Sequence, residues 1–209
     1  AKNIPIVLCD RYIRDYKFDI ATFESENSML ELIKHLYAQG FTRLAMFTQA
    51  WQDISSRFRK IEGYTKAVEQ IYGFSSKNDI YTIHINDIPN TRSQIRSFLS
   101  TVSPDEKPVI ICINTMTTFH VLSCLQREFL SIPGDVGLCG SDDWGWGENV
   151  TLAETLYPTI TTIRIDSEEI GRQCARLMLE RIKDPSSDIK TVEVPCTISA
   201  RTSSILQNP

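Results

Sequence analysis

A chain of 209 residues, 42% hydrophobic and 23% charged, carries enough apolar material for one large core or two small ones. No apolar run approaches the roughly 20 residues that span a bilayer, and the opening AKNIPIVLCDRY has neither the apolar length nor the small-residue cleavage site of a signal peptide. The net charge of −4 argues against direct nucleic-acid binding by this chain, because neutralising phosphates requires a basic surface.

The predicted elements alternate between strand and helix. IPIVLC (4–9) is a continuous apolar run of strand length. NSMLELIKHLYAQG (27–40) places Met29, Ile33, Leu36 and Tyr37 on one helical face and stops at Gly40, a favoured C-cap. LAMFT (44–48) is the next strand, and KIEGYTKAVEQIYG (60–73) repeats the helical spacing with Ile61, Tyr64, Val68 and Ile71. IYTIHI (80–85) reads as a strand, and TRSQIRSFLSTV (91–102) as a helix with Ile95, Phe98, Leu99 and Val102 inward. VIICI (109–113) leads into a helix reaching 129 that uses Phe119, Leu122, Leu125 and Phe129. VGLCG (136–140) and ITTIRI (160–165) are further strands. Asp166 with Glu169 makes a capping-box-like start for a helix to about Ile182, and TVEVPCTI (191–198) closes the series as a strand. Short all-apolar strands separated by helices specify an α/β fold with parallel sheets covered on both faces.

In open sheets of this kind, sites lie just beyond the carboxyl ends of the strands. Four places qualify: Asp10-Arg11, Thr48 to Trp51, Asn114-Thr115 and Ser141 to Trp146. The last, GSDDWGWG, sets two carboxylates and the rings of Trp144 and Trp146 among glycines. Adjacent carboxylates point in different directions, so Asp142 and Asp143 are not expected to share an acid/base task. One is expected to hold the turn while the other meets solvent or ligand. Nucleotide loops and a nucleophile elbow are absent, and His35, His84 and His120 lack metal-ligand spacing, so no metal, cofactor or catalytic residue is expected. The six cysteines form no C-x-x-C pair, and Cys9, Cys112 and Cys139 sit in apolar runs as small hydrophobes, which fits a reducing cytoplasm.

The ordered series IPIVLCDR (4–11), HLYAQGFTRLAMFT (35–48), KIEGYTKAVEQ (60–70), VIICINT (109–115), IPGDVGLCGSDD (132–143), TITTIRIDSEEIGRQ (159–173) and VPCTISART (194–202) resembles the effector-binding domain of the lactose-repressor/galactose-repressor transcription regulators. The resemblance implies two α/β subdomains of the type I periplasmic-binding-protein-like fold, joined by three crossovers, with a small ligand between them. It assigns 1–50 and 166–186 to an incomplete first subdomain and 51–165 and 187–206 to the second, with crossovers near 49–55, 163–165 and 186–189. IPIVLC and LAMFT would then share a sheet with an open edge. It also implies a chain without the helix-turn-helix, hinge and first βα units that open such regulators, touching DNA only through that absent part.

The implied function is ligand sensing and homodimerisation in a non-enzymatic repressor that answers a sugar or sugar acid, without membrane contact. The alternative is the sugar-binding protein of a transport system. Carried over by position, Lys60 stands where the family has a ligand-clamping arginine, with Arg57 and Arg59 close by. Asn114 keeps the family's asparagine while Thr115 replaces its aspartate, and Asp142 is the hydroxyl acceptor. Glu24-Ser25 replaces an Asp-Asn pair, with Asn27 nearby as a substitute. Each has a plainer reading: Lys60 as a solvated helix residue, Asn114 as an N-cap, Asp142 as a loop anchor, and Trp144 as a plug between subdomains instead of a stacking platform.

Overall fold

The computed structural model describes residues 4–13, 15, 17–145 and 151–206, and Trp146 lies outside that set. Among the described residues the strands form two sheets. The smaller holds β1 (Val7–Cys9), β2 (Asp19–Phe23) and β8 (Thr191–Val194), all parallel, with β2 central. Helix α6 (Ser167–Lys183), which follows the one-turn α5 (Leu152–Thr155) in the chain, packs on it, closing Ile170 and Leu177 over Ala21, Phe23 and Val194. Asp166 caps that helix by accepting from the Glu169 N–H at 2.8 Å, as the sequence predicts.

The larger sheet runs β4 (Ile80–Thr82), β3 (Arg43–Thr48), β5 (Pro108–Cys112), β6 (Gly137–Ser141), β7 (Thr161–Arg164) and β9 (Thr197–Ser199), parallel except for the β7–β9 pair. Its central strands β3 and β5 are largely apolar because both faces are covered. Leu44, Met46, Val109 and Ile111 meet α1 (Ser25–Ala38) and α2 (Ser55–Tyr72). Their neighbours Ala45, Phe47, Ile110 and Cys112 meet α3 (Ile88–Leu99) and α4 (Thr115–Arg127). No described helix is long and apolar enough to cross a membrane.

The expected division at residue 50 does not follow the sheets. LAMFT is β3 and pairs with β4 and β5 in the larger sheet, not with IPIVLC, and α1 packs on α2. The partner of β1 is DIATF, β2, which the sequence reading left without an element. TVEVPCTI is two strands, not one: β8 lies in the smaller sheet and β9 in the larger, and the chain passes between them at Pro195-Cys196. The other passages lie at Glu24, between β2 and α1, and at Ile165-Asp166, between β7 and α6. Tyr37 and Phe129, expected inward, are exposed, and so is Cys9.

Helix α2 comes close against the start of α1 at Gly63. A Cβ there would lie 3.0 Å from Glu26 Cα and 3.2 Å from the Ser25 carbonyl oxygen, both backbone atoms with little freedom to move. Gly63→Ala is therefore expected to destabilise by about 1–3 kcal/mol despite alanine's better helix propensity. Urea denaturation checks this, and an unchanged midpoint would show that the two helices separate at no cost.

Candidate functional site

The carboxyl ends of both sheets face one another across a cavity of about 340 Å³. The smaller lobe lines it with Asp10, Arg11, Phe23, Ser167 and Ile170, and the larger with Ser56, Arg57, Lys60, Asn114, Thr115, Ser141 and Asp142. Three of the four strand ends predicted to carry a site therefore meet here. The fourth does not: Trp51 stacks on Phe58, and Gln49 serves Arg57 from behind.

The two lobes present matched aspartates. Asp10 follows β1 with φ 65°, and its N–H donates to Ala21 of the neighbouring strand at 2.9 Å. Asp142 follows β6 with φ 80°, and its N–H donates to Ile163 of its neighbouring strand at 2.8 Å. In each case the chain turns into the left-handed region while the ladder bond is still made, and the carboxylate is left facing the cleft. Aspartate tolerates this backbone better than most residues, yet the conformation still carries strain, and such strain concentrates at functional sites.

Lys60 is buried, 7% exposed, on the floor of the cleft. Its Nζ donates to Ser141 Oγ at 2.7 Å and to the Ile113 carbonyl at 3.2 Å, and lies 4.9 Å from the Phe23 ring centroid. Phe23 belongs to the smaller lobe, so the ammonium touches both. Burial holds its pKa down to about 8, against the pull of Asp10 and Asp142, whose charges favour the protonated form. The solvated-helix reading of Lys60 is thus wrong.

Asn114 fills both of its predicted roles. Its Oδ1 accepts from the Thr117 N–H at 3.0 Å as the cap of α4, and the residue also lines the cleft. Arg57 reaches the cleft from the first turn of α2, donating to the Ala50 carbonyl at 2.6 Å and to Gln49 Oε1 at 2.7 Å. Burial and the charge of Arg11 lower its pKa.

The adjacent carboxylates divide their work. Asp142 lines the cleft, while Asp143 turns inward, accepting from Thr162 Oγ1 at 2.5 Å and pairing with Arg201 at 2.7 Å. Two predicted residues fall outside. Trp144, at φ 51°, swings into the larger lobe and packs on Phe119 with ring centroids 4.6 Å apart, 8% exposed, so it is neither a stacking platform nor a plug between lobes. Asn27 lies on the exposed side of α1, donating to Glu24 Oε2 at 3.2 Å, because the helix already starts at Ser25. Ser56 was missed, and Ser141 was singled out only as the start of a strand-end loop, without a role. Their signal was position alone: one opens a helix, the other ends a strand.

Residues 33–204 match the periplasmic binding protein-like domain. The chain is 28% identical over 204 residues to the HTH-type transcriptional regulator KdgR of Bacillus subtilis, covering 97% of this chain and 57% of that protein. To the HTH-type transcriptional repressor PurR of Vibrio vulnificus it is 25% identical over 192 residues, covering 92% and 54%. It therefore spans little more than half the length of these curated relatives. In fold it is similar to a transcriptional regulator CelR–cellobiose complex (TM-score 0.77, 19% identity, 96% of this chain and 59% of that chain). It is likewise similar to a LacI family transcriptional regulator from Enterococcus faecalis with bound ribose (TM-score 0.75, 22% identity, 99% and 71%). On the match over most of its length, with two parallel-sheet lobes around a common cleft, the chain belongs to the periplasmic binding protein-like domain family.

Proposed function

We propose that this chain is the ligand-sensing part of a cytoplasmic transcription regulator, a binding module that takes a small sugar or sugar derivative between its lobes. The observation that carries this reading is the convergence of Asp10 from one lobe with Asp142, Asn114, Lys60 and Arg57 from the other on a single cavity. Two facing carboxylates accept from hydroxyls, the asparagine amide and the cations donate, and Phe23, Ile113 and Ile165 supply the apolar wall. A volume of about 340 Å³ lies at the small end of the roughly 300–1,000 Å³ of small-molecule sites, the size of a monosaccharide derivative. Structural neighbours with bound ribose and cellobiose support the ligand class.

A ligand that touches both lobes changes their relation only to the extent that it binds one arrangement better than another. The same free energy then couples to DNA affinity, an inducer favouring the DNA-free state and a corepressor the DNA-bound one. With its net charge of −4, this chain leaves phosphate contacts to other parts of a longer protein. A homodimer is the assembly through which two such sensors would set the spacing of a pair of DNA-binding heads.

A thermal-shift screen of sugars and sugar derivatives tests the function, and calorimetry with the strongest hit tests the site. Asp142→Ala is expected to weaken binding by about 1.5–3 kcal/mol, the worth of a hydrogen bond to a charged group. Unchanged affinity would remove Asp142 from the site, and a screen in which no carbohydrate raises the midpoint would remove the function.

A further inference from the structure

Two of the six cysteines meet in the smaller lobe. Strand β1 alternates its side chains between the faces of the sheet, so Val7 and Cys9 share the face on which α6 lies, and Val7 packs in that core. Cys174 comes down from the middle of α6 onto the same face. Its thiol donates to the Leu8 carbonyl at 3.7 Å, the oxygen of the peptide that joins Leu8 to Cys9. It also meets the backbone of Ala21, the residue paired with Cys9 across the ladder, and the Cys9 thiol itself. Three contacts around one position set sulfur beside sulfur.

The other four cysteines are poor nucleophiles where they stand. Cys112, Cys124 and Cys139 are buried, and burial pushes all three thiols up, Cys139 to about 12. Cys196 is half-buried and is pushed up to about 11 by the same cause. The thiolate is the attacking species, so these four are inert. Cys9, by contrast, is exposed and lines the cavity between the lobes. Cys174 beside it is half-buried, its pKa raised by burial and by the Cys9 thiol. An accessible thiol with a sheltered one at contact distance is the arrangement of an attacking and a resolving cysteine. Their surroundings give a bond between them a consequence. Asp10 follows Cys9 directly, and Ile170, one turn before Cys174 on the same side of α6, lines the cleft with it.

We propose that Cys9 and Cys174 form a reversible disulfide with a hydroperoxide as oxidant, a modification site behind the cleft that fixes the end of β1 to α6. The Cys9 thiolate attacks a peroxide oxygen and the O–O bond breaks, leaving a sulfenic acid on Cys9. With hydrogen peroxide the departing hydroxide takes up the proton that the Cys9 thiol released, giving water. The Cys174 sulfur then attacks the Cys9 sulfur. The S–S bond forms as the S–O bond breaks, and the second hydroxide leaves as water with the Cys174 proton. Two thiols are oxidised and one peroxide is reduced. A dithiol reverses the bond by exchange. In a reducing cytoplasm such a bond is transient, the usual form of a disulfide there. Its formation is independent of what the cleft binds.

Hydrogen peroxide added to the full chain tests this, with thiols counted in denaturant before and after. The expected result is the loss of two of the six thiols, a Cys9–Cys174 cross-linked peptide by mass spectrometry, and full recovery with dithiothreitol. Cys9→Ser is expected to keep all its thiols, while Cys174→Ser leaves the sulfenic acid unresolved, to be trapped by dimedone at Cys9. The oxidised wild type should melt at least about 5 °C above the reduced form, because the link closes most of the chain into a loop in the unfolded state, and neither serine variant should gain. Six thiols surviving peroxide, a cross-link between any other pair, a bond joining two chains, thiol loss that persists in Cys9→Ser, or an unshifted midpoint would each overturn the inference.

Discussion

Asp143→Ala is expected to lower the thermal midpoint by about 6–20 °C, whereas Asp142→Ala, one residue earlier, leaves it within about 2 °C. Asp143 is 5% exposed, and its partner Arg201 has a side chain only 9% exposed. The guanidinium meets Asp143 through two nitrogens, at 2.7 and 3.0 Å, and also donates to the Ile160 carbonyl at 2.8 Å and to Thr162 Oγ1 at 3.0 Å. Arg201 thereby ties the segment after β9 to β7 and to the loop behind the cleft. Removing the carboxylate leaves the buried guanidinium with Glu154, 3.1 Å away but largely exposed and screened, as its counter-charge, which costs about 3–5 kcal/mol, and a chain of this size loses about 2–4 °C per kcal/mol.

The pH dependence has a defined sign. Burial opposes ionisation of Asp143, but the Arg201 and Thr162 hydrogen bonds outweigh it and hold its pKa below the ordinary carboxylate range. The unfolded chain therefore binds the proton more readily, so the stabilisation is present above about pH 4 and is lost as pH falls through the folded value. The gap between wild type and Asp143→Ala should narrow in acid. Replacing both partners by leucine should recover part of the loss, since it is the unpaired charge that costs most. Thermal melts across pH check all of this, and an Asp143→Ala protein with the wild-type midpoint would show that the pair does not hold the loop.

This division between neighbours shows how far a sequence of this kind can be read. The split itself was legible, because successive side chains after a strand face opposite ways. Which aspartate went inward was not, because it depends on the left-handed turn at Asp142 and on an arginine 58 residues downstream of Asp143. Trp144 was illegible for the same reason: its place in the core follows from the backbone of that turn. β3 and β5 were plain from their unbroken apolar runs, and α6 from the spacing of Asp166 and Glu169. β2 hid behind a polar first residue, since Asp19 is buried where Arg181 reaches it with bonds of 2.7 and 2.9 Å and the Lys190 N–H donates to it at 2.8 Å. Among the described residues no helix separates β2 from β1, so the alternation that flagged the other strands was missing there. The passage between β8 and β9 did leave a mark, for Pro195 interrupts TVEVPCTI where a central strand could not hold a proline.

Lys60→Met is expected to stabilise the unliganded protein by about 2 kcal/mol at pH 7 while abolishing its response to ligand. With its pKa held down to about 8 against an ordinary 10.5, the ammonium is disfavoured by about 3 kcal/mol at about 1.4 kcal/mol per pKa unit. Methionine has no charge to desolvate and keeps a favourable contact with the Phe23 ring. About 1 kcal/mol is given back because the Ile113 carbonyl loses its donor. Between pH 8 and 10.5 the unfolded chain still holds the lysine proton that the folded protein has released, so wild-type stability from this group rises with pH across that window. The advantage of methionine should therefore be full below pH 8 and gone near 10.5. Asp10, Asp142 and Cys196 favour the ammonium and Arg11 opposes it, so a bound anion, acting with the first three, would raise the pKa and draw in a proton. Affinity for an anionic ligand should accordingly fall as pH rises past 8. Urea midpoints of both proteins from pH 7 to 10 decide the matter: equal stability at pH 7 would show that the buried ammonium is fully compensated by its two oxygens and the Phe23 ring, and that the cleft holds no uncompensated charge for a ligand to relieve.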